Sequence, residues 1–194
     1  MGNRSAADAT ARVSDREAAQ PSSSPKMVAH ETLHEIEQLY YREARLFSEK
    51  RYRDWLNDIV DRDIHYAMPV FEDRYRNDRR PQPEFPPMVY DDDWADLDER
   101  VRRLETNLVW IEDPPSRVRH LITNVEAYQT DDPNEYETYS NFLVCRNRAE
   151  REETMLVGGR KDRLRRRGSD LRLYRRTILV PQRVVLDTNL YSFM

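Results

Sequence analysis

A chain of 194 residues is long enough for one domain with a hydrophobic core and too short for two ordinary domains beside a long tail. Its 36 acidic and 32 basic residues nearly cancel to a net charge of −4, so neither nucleic acid nor an anionic membrane is expected as the main partner. Cys145 is the only cysteine, which excludes an intrachain disulfide, a thiolate zinc cluster and a cysteine-ligated iron–sulfur centre built from this chain alone, and points to a reducing cytoplasm.

No apolar run reaches the roughly 18 residues of a membrane span, and the N-terminus lacks the apolar core of a secretory signal. Met1-Gly2 opens like a myristoylation signal, but Ala6 stands where Ser or Thr is required. Residues 1–27 mix Ala, Ser, Asp, Arg and Pro without periodicity and end in Pro21-Ser22-Ser23-Ser24-Pro25; they are expected to form a disordered or extended arm ahead of a single domain over 28–194.

From about Val28 the period is helical, with Leu33, Ile36, Tyr40, Ala44 and Phe47 on one stripe to about Ser48. A second short helix carries Tyr52, Trp55, Leu56 and Ile59. The period then drops to two over Ile64, Tyr66, Met68 and Val70, the signature of a first strand. Residues 71–90 hold four prolines (Pro81, Pro83, Pro86 and Pro87) and are expected to make an irregular surface excursion. Asp91-Asp92-Asp93 offers cap and dipole charges to a third helix with Trp94, Leu97, Val101, Leu104 and Leu108 on one face.

After Pro114-Pro115 four long segments rich in β-branched and aromatic residues follow (118–130, 135–151, 154–166 and 171–180), separated by turn residues. Helices first and a strand meander later predict an α+β domain in which N-terminal helices cover one face of a curved antiparallel or mixed sheet.

Several patterns invite a sharper reading. His30-Glu31-Thr32-Leu33-His34 is a literal H-E-x-x-H on a helix, the ligand spacing of zinc hydrolases, yet only the arm precedes it and no extended zinc motif follows; a polar helix start explains it better. Arg160, Lys161, Arg163, Arg165, Arg166 and Arg167 form a basic run, but strand alternation splits it between two faces with Glu150, Glu152, Glu153 and Asp162 close by, which favours a salt-bridged surface or a subunit contact over nucleic acid. Asp91 to Asp93 is a run rather than a shaped cage for Ca²⁺ or Mg²⁺. His65, His120, Asp63 and Tyr66 could line an acid–base pocket, which keeps an autonomous isomerase- or dehydratase-like enzyme as the alternative reading.

Other stretches resemble a known family. Tyr40-Tyr41-Arg42-Glu43-Ala44-Arg45-Leu46, Arg51-Tyr52-Arg53-Asp54-Trp55-Leu56, Asp63-Ile64-His65-Tyr66-Ala67-Met68-Pro69-Val70, Val101-Arg102-Arg103-Leu104-Glu105-Thr106 and the run from Glu112 to Val125 are similar in order and content to the β subunits of aromatic-ring-hydroxylating dioxygenases, in their biphenyl, benzene and toluene branch. Ser140-Asn141-Phe142-Leu143-Val144 and Arg175-Arg176-Thr177-Ile178 add to the likeness, which spans roughly 28–194. The resemblance implies a cone-shaped fold like that of nuclear transport factor 2 (NTF2) and the cystatins. It also implies an α3β3 hexamer in which the β trimer supports a catalytic α trimer.

In that family the α subunit holds a Rieske [2Fe–2S] cluster and a mononuclear Fe(II), electrons arrive from NADH through a reductase and a ferredoxin, and aromatic hydrocarbons become cis-dihydrodiols in the bacterial cytoplasm. A Rieske centre takes two cysteines and two histidines, so a chain with one cysteine cannot supply it. The dehydratases of this fold carry a carboxylate after an alanine late in helix one, where a rough matching puts Arg45. The expectation is therefore a scaffold with no catalytic, cofactor or metal residue of its own, making its interfaces through Trp94, Trp110, Arg117, Arg119, His120 and Tyr139 and through the proline-rich loop 81–87.

Overall fold

The computed structural model describes residues 26–70, 77, 79, 81, 87–106, 116–148, 152–181 and 193–194. Helix α1 runs His30–Ser48 and α2 Tyr52–Asp58, followed by β1 at Val60–Pro69, β2 at Met88–Asp92 and α3 at Trp94–Glu105. The long strands are β3 at Arg117–Gln129, β4 at Glu135–Arg148, β5 at Glu152–Arg167 and β6 at Asp170–Leu179. They form one six-stranded sheet in the order β2-β1-β6-β5-β4-β3. Every neighbouring pair is antiparallel except β1 and β6, which are parallel, so the meander closes back onto the first strand and the sheet is mixed.

The α1 stripe explains the packing. Ile36, Tyr40, the pair Glu43 and Ala44, and the pair Leu46 and Phe47 are buried, recurring every three or four residues, and face the inner side of the sheet. The helix stops at a left-handed residue, Lys50 (φ 58°), whose N–H donates to the Phe47 carbonyl while that of Arg51 reaches back to Leu46, a Schellman closure made without glycine. On the sheet, strict alternation sends Tyr136, Thr138, Ser140, Phe142 and Val144 of β4 inward. Leu97 and Val101 of α3, Trp55 and Leu56 of α2 and Leu164, Leu173 and Ile178 complete one core.

Two elements depart from the expectation. Met88–Asp92 is a strand, paired along β1 from Tyr66–Asp92 to Pro69–Met88, where the sequence predicts the end of an irregular excursion. An edge strand hydrogen-bonds on one side only, so the neighbouring Pro87 and two aspartates are tolerated. Of the acidic run, only Asp93 caps α3: its side chain accepts from the Ala95 and Asp96 N–H groups, and the Asp96 side chain returns the bond to the Asp93 N–H. Asp91 pairs with His65 and Asp92 with Arg100. Leu108 of the expected α3 stripe lies outside the described residues, as do residues 1–25 of the arm. Lys26 to Val28 lie along the free edge of β3, with Met27 bridged to Tyr128. No described helix is long and apolar enough to cross a membrane.

Candidate functional site

The interior between α1, α2 and the sheet holds a dense cluster of buried polar and charged side chains. One inward row crosses four strands in register, Thr138–Asp162–Arg176–Tyr66, with Arg160 on the next inward position of β5. Glu43 descends onto this row from α1. One of its oxygens accepts from Trp55 Nε1 and Arg176 Nη1, each at 2.8 Å, and the other from Arg160 Nη1 at 2.8 Å and Arg176 Nη2 at 3.0 Å. Asp162 takes Arg176 Nε at 3.0 Å and Nη2 at 2.7 Å, and the Tyr40 hydroxyl donates to it at 2.9 Å. Two carboxylates face two guanidiniums, so the buried cluster is neutral as a whole.

Beside this cluster sit Phe193 and Met194. The Phe193 ring lies 4.8 Å from Trp55, 5.4 Å from Tyr52 and 6.0 Å from Phe47, with the Arg100 guanidinium 4.8 Å from its centre. His120 Nε2 donates to the Phe193 carbonyl at 3.1 Å. The Tyr66 hydroxyl accepts from Met194 N at 2.9 Å and donates to the Met194 carbonyl at 2.7 Å, an oxygen that Arg176 Nη1 also reaches at 3.0 Å.

These groups are poorly placed for acid–base work. Burial pushes the Glu43 carboxyl up, but Arg176 and Arg160 outweigh burial and hold it at about 2. Burial pushes the His120 imidazole down to about 4, so it is neutral. A general base works best near the operating pH, and both groups lie well below it.

Of the residues that the sequence offers for an acid–base pocket, Tyr66 and His120 do reach this interior. His65 and Asp63 do not: His65 is exposed against Asp91, and Asp63 is exposed against Arg165 and Arg167. Arg45 points to solvent, and the inward carboxylate of α1 is Glu43, two residues earlier. The signal for it was present, since Glu43 falls on the apolar stripe between Tyr40 and Phe47. His30 and His34 are exposed, and among the described residues no group of three or more His, Cys, Asp or Glu could hold a metal.

Of the expected interface residues, Arg117, Arg119 and Tyr139 share the outer face of the sheet, while His120 belongs to the interior, on the opposite face of β3 from Arg119. Trp94 is half-buried at the start of α3, with the Arg62 guanidinium 3.6 Å above its ring. Trp110 and most of the loop 81–87 lie outside the described residues.

That outer face divides into two halves. In one, Leu121, Leu143 and Val157 lie in a single row across β3, β4 and β5, and Cys145 and Met155 occupy the next. Leu121, Met155, Val157 and Leu179 are 50%, 57%, 45% and 39% exposed, a contiguous apolar patch with Arg119 at its rim. In the other half the basic run is neutralised: Lys161 and Arg163 meet Glu137 at 3.2 and 3.3 Å, and Arg165 and Arg167 converge on Asp61 and Asp63. A salt-bridged surface, as the alternation implies, leaves no cationic track for a phosphate backbone.

Comparison with known proteins adds what geometry alone leaves open. The sequence model of the family described as "Ring hydroxylating beta subunit" matches residues 42–187. The benzene 1,2-dioxygenase subunit beta of Pseudomonas putida is 38% identical over 175 residues, 87% of this chain and 92% of that protein. The biphenyl 2,3-dioxygenase subunit beta of Rhodococcus jostii is 39% identical over 166 residues, 82% and 87% of the two chains.

The chain belongs to the ring-hydroxylating dioxygenase β-subunit family. A chain of the solved naphthalene 1,2-dioxygenase with indole in its active site superposes over the full length of both chains with a TM-score of 0.79 at 25% identity. The fold is therefore the NTF2-like one that the resemblance implies, and this β subunit belongs with an oxidoreductase complex whose cofactors lie in the α partner.

Proposed function

We propose that this β subunit is the non-catalytic scaffold of a Rieske non-haem iron dioxygenase that cis-dihydroxylates an aromatic hydrocarbon of the benzene or biphenyl class. Its relatives are named for those substrates, and the α partner holds the Rieske cluster and Fe(II), with electrons drawn from NADH through a reductase and a ferredoxin. Three β chains support three α chains in an α3β3 hexamer in the bacterial cytoplasm, each β chain contributing one domain over 28–194.

The observation that carries this reading is the half-apolar outer sheet face. Exposed Leu121, Met155, Val157 and Leu179 in adjacent rows, rimmed by Arg119, have the composition of a subunit contact, with an apolar centre and a charged edge. The chain's own residues do not fit the iron groups: a Rieske cluster needs two cysteines, and Cys145 is alone. The autonomous pocket enzyme is disfavoured by an interior in which Glu43 is locked between guanidiniums and His120 lies against Phe193.

The test is the composition of what co-purifies with the tagged chain from a host expressing its neighbouring genes: partner mass, iron, acid-labile sulfide and visible spectrum. A stoichiometric larger partner with a Rieske spectrum is the expected result. A chain that comes down alone, free of iron and turning over a small substrate by itself, overturns the proposal.

A further inference from the structure

His30 and His34 stand four residues apart in α1, a continuous helix from His30 to Ser48, and both are exposed. On an α-helix that spacing puts two side chains on one face, one turn apart, with Cβ atoms roughly 5 to 6 Å from each other. Two imidazoles so placed can each give a ring nitrogen to one metal ion at about 2.0 to 2.1 Å, the arrangement that the H-E-x-x-H spacing supplies. The chain's other two histidines are committed elsewhere, His65 to Asp91 and His120 to the Phe193 carbonyl.

The surroundings add a second, independent sign. Glu37, one turn further on, holds Oε2 4.0 Å from His34 Nδ1. A carboxylate behind one ring nitrogen is the usual companion of a metal-ligating histidine, because it fixes the ring and leaves the other nitrogen, here Nε2, to the ion. No side chain caps the helix at this end, and its first turn closes through the Leu33 N–H, which donates to the Ala29 carbonyl at 2.9 Å. The positive end of the helix dipole opposes a cation here, and the carboxylates of Glu31 and Glu37 offset it.

We propose that His30 and His34 form a surface site for one divalent transition ion of the class that imidazole prefers, zinc or copper, held by one nitrogen of His30 and by Nε2 of His34 with water in the remaining positions. Glu37 is the positioning residue behind His34, and the bound ion ties the first turn of α1 to the second. Catalytic zinc sites take three protein ligands, and among the described residues no group of three His, Cys, Asp or Glu could hold a metal, so this site binds and does not hydrolyse. It is independent of which subunit carries the iron.

The experiment is a Zn²⁺ titration of the ¹⁵N-labelled full chain, freed of any histidine tag, following the imidazole nitrogens of all four histidines. Wild type is expected to bind one ion, with His30 and His34 shifting along a single saturation curve while His65 and His120 stay in place. It should ignore Mg²⁺, which takes oxygen ligands. His30→Gln and His34→Gln should each weaken Zn²⁺ about tenfold or more, since one arm of a two-armed site is lost. Glu37→Gln should weaken it by a smaller factor and keep both imidazoles on the ion. At saturation the Leu33 amide should exchange more slowly with solvent in wild type and not in His30→Gln.

Separate saturation curves for the two imidazoles, an equal response to Mg²⁺, or a Zn²⁺ affinity unchanged in either histidine variant overturns the proposal. A loss at Glu37→Gln as large as that at His34→Gln would make the carboxylate a ligand and overturns the two-imidazole site as well. Leu33 exchange unchanged at saturation overturns the tie between the two turns. His30 and His34 are exposed, so their variants should melt within about 2 °C of wild type, and the wild-type titration stands on its own.

Discussion

Glu43 of α1 and Arg176 of β6, separated by 133 residues, meet through two hydrogen bonds of 2.8 and 3.0 Å with both side chains essentially removed from water. The pair fastens the helical layer to the centre of the sheet, and Arg176 extends the bond to Asp162 on β5. Buried ion pairs are not cheap sources of stability, because desolvation offsets most of the attraction; breaking one from a single side is what hurts, since it strands the other charge. Glu43→Gln and Arg176→Met should each lower unfolding stability by about 3 to 5 kcal/mol in urea titrations. A loss below about 1 kcal/mol for either would mean that the cluster is solvated and the interior less dry than its geometry indicates.

The interior groups also set the acid limb of stability, in two successive windows that meet near pH 4. His120 titrates at about 4 in the folded chain against 6.5 for a free imidazole, so between these values the unfolded chain binds the extra proton and stability falls as pH is lowered. Glu43 is held at about 2 against an ordinary 4.5, and its contribution is complete above 4.5 and lost as pH falls toward 2. His120→Phe should flatten the stability profile between pH 6.5 and 4, removing a slope worth on the order of 3 kcal/mol across the window, and leave the lower window in place. Unfolding free energies measured across that range check it; an unchanged slope would place the His120 ring in contact with water.

Much of this architecture was legible in the sequence because period and burial agree. The α1 stripe, the short α2 and the four long strands of the meander fall within a few residues of where alternation and turn residues put them. What escaped was non-local. Met88–Asp92 has only Val89 and Tyr90 as strand formers, between Pro87 and two aspartates, and is ordered by its one-sided ladder with β1. The parallel pairing of β1 with β6 depends on how the sheet closes, which no local period records.

The interior site was half visible. His120 and Tyr66 are legible in the sequence as pocket residues, and alternation splits the basic run of β5 between two faces without saying which of its members meet Asp162 inside. Their convergence on Glu43 needs the register of four strands and one helix at once. The H-E-x-x-H pattern shows the converse, a local motif without the surroundings that give it chemistry.

Gly158 offers a test of packing with an internal control. A methyl group at this position would lie 2.5 Å from the tip of the Phe142 ring and 2.8 Å from the Leu179 carbonyl oxygen, while the same addition at Gly159 meets nothing nearer than 3.5 Å. The Leu179 contact is main chain in β6 and cannot swing away. Gly158→Ala should therefore cost about 1 to 3 kcal/mol and Gly159→Ala little, measured by thermal unfolding of the two variants side by side. Equal behaviour would show that β5 and β6 can part locally without loss.

The outer face is where assembly should be lost without loss of fold. Leu121 and Val157 are exposed and lie in one row with Leu143, so a carboxylate in their place disturbs no core contact of the isolated chain. In a subunit contact the same carboxylate is buried without a partner, a change that typically costs several kcal/mol. Leu121→Glu and Val157→Glu should keep the melting temperature of the separate β chain within about 2 °C of wild type, as expected for surface changes. Recovery of the larger partner and its iron with the tagged chain should fall at least tenfold.

Arg163→Gln, in the charged half of the same face beside Glu137, should retain the partner, because half-exposed pairs contribute little. Retained assembly in the two glutamate variants, with normal folding, would move the contact from the sheet face to another surface of the β subunit. A fall in melting temperature of the isolated chain would instead make the patch part of its own stability.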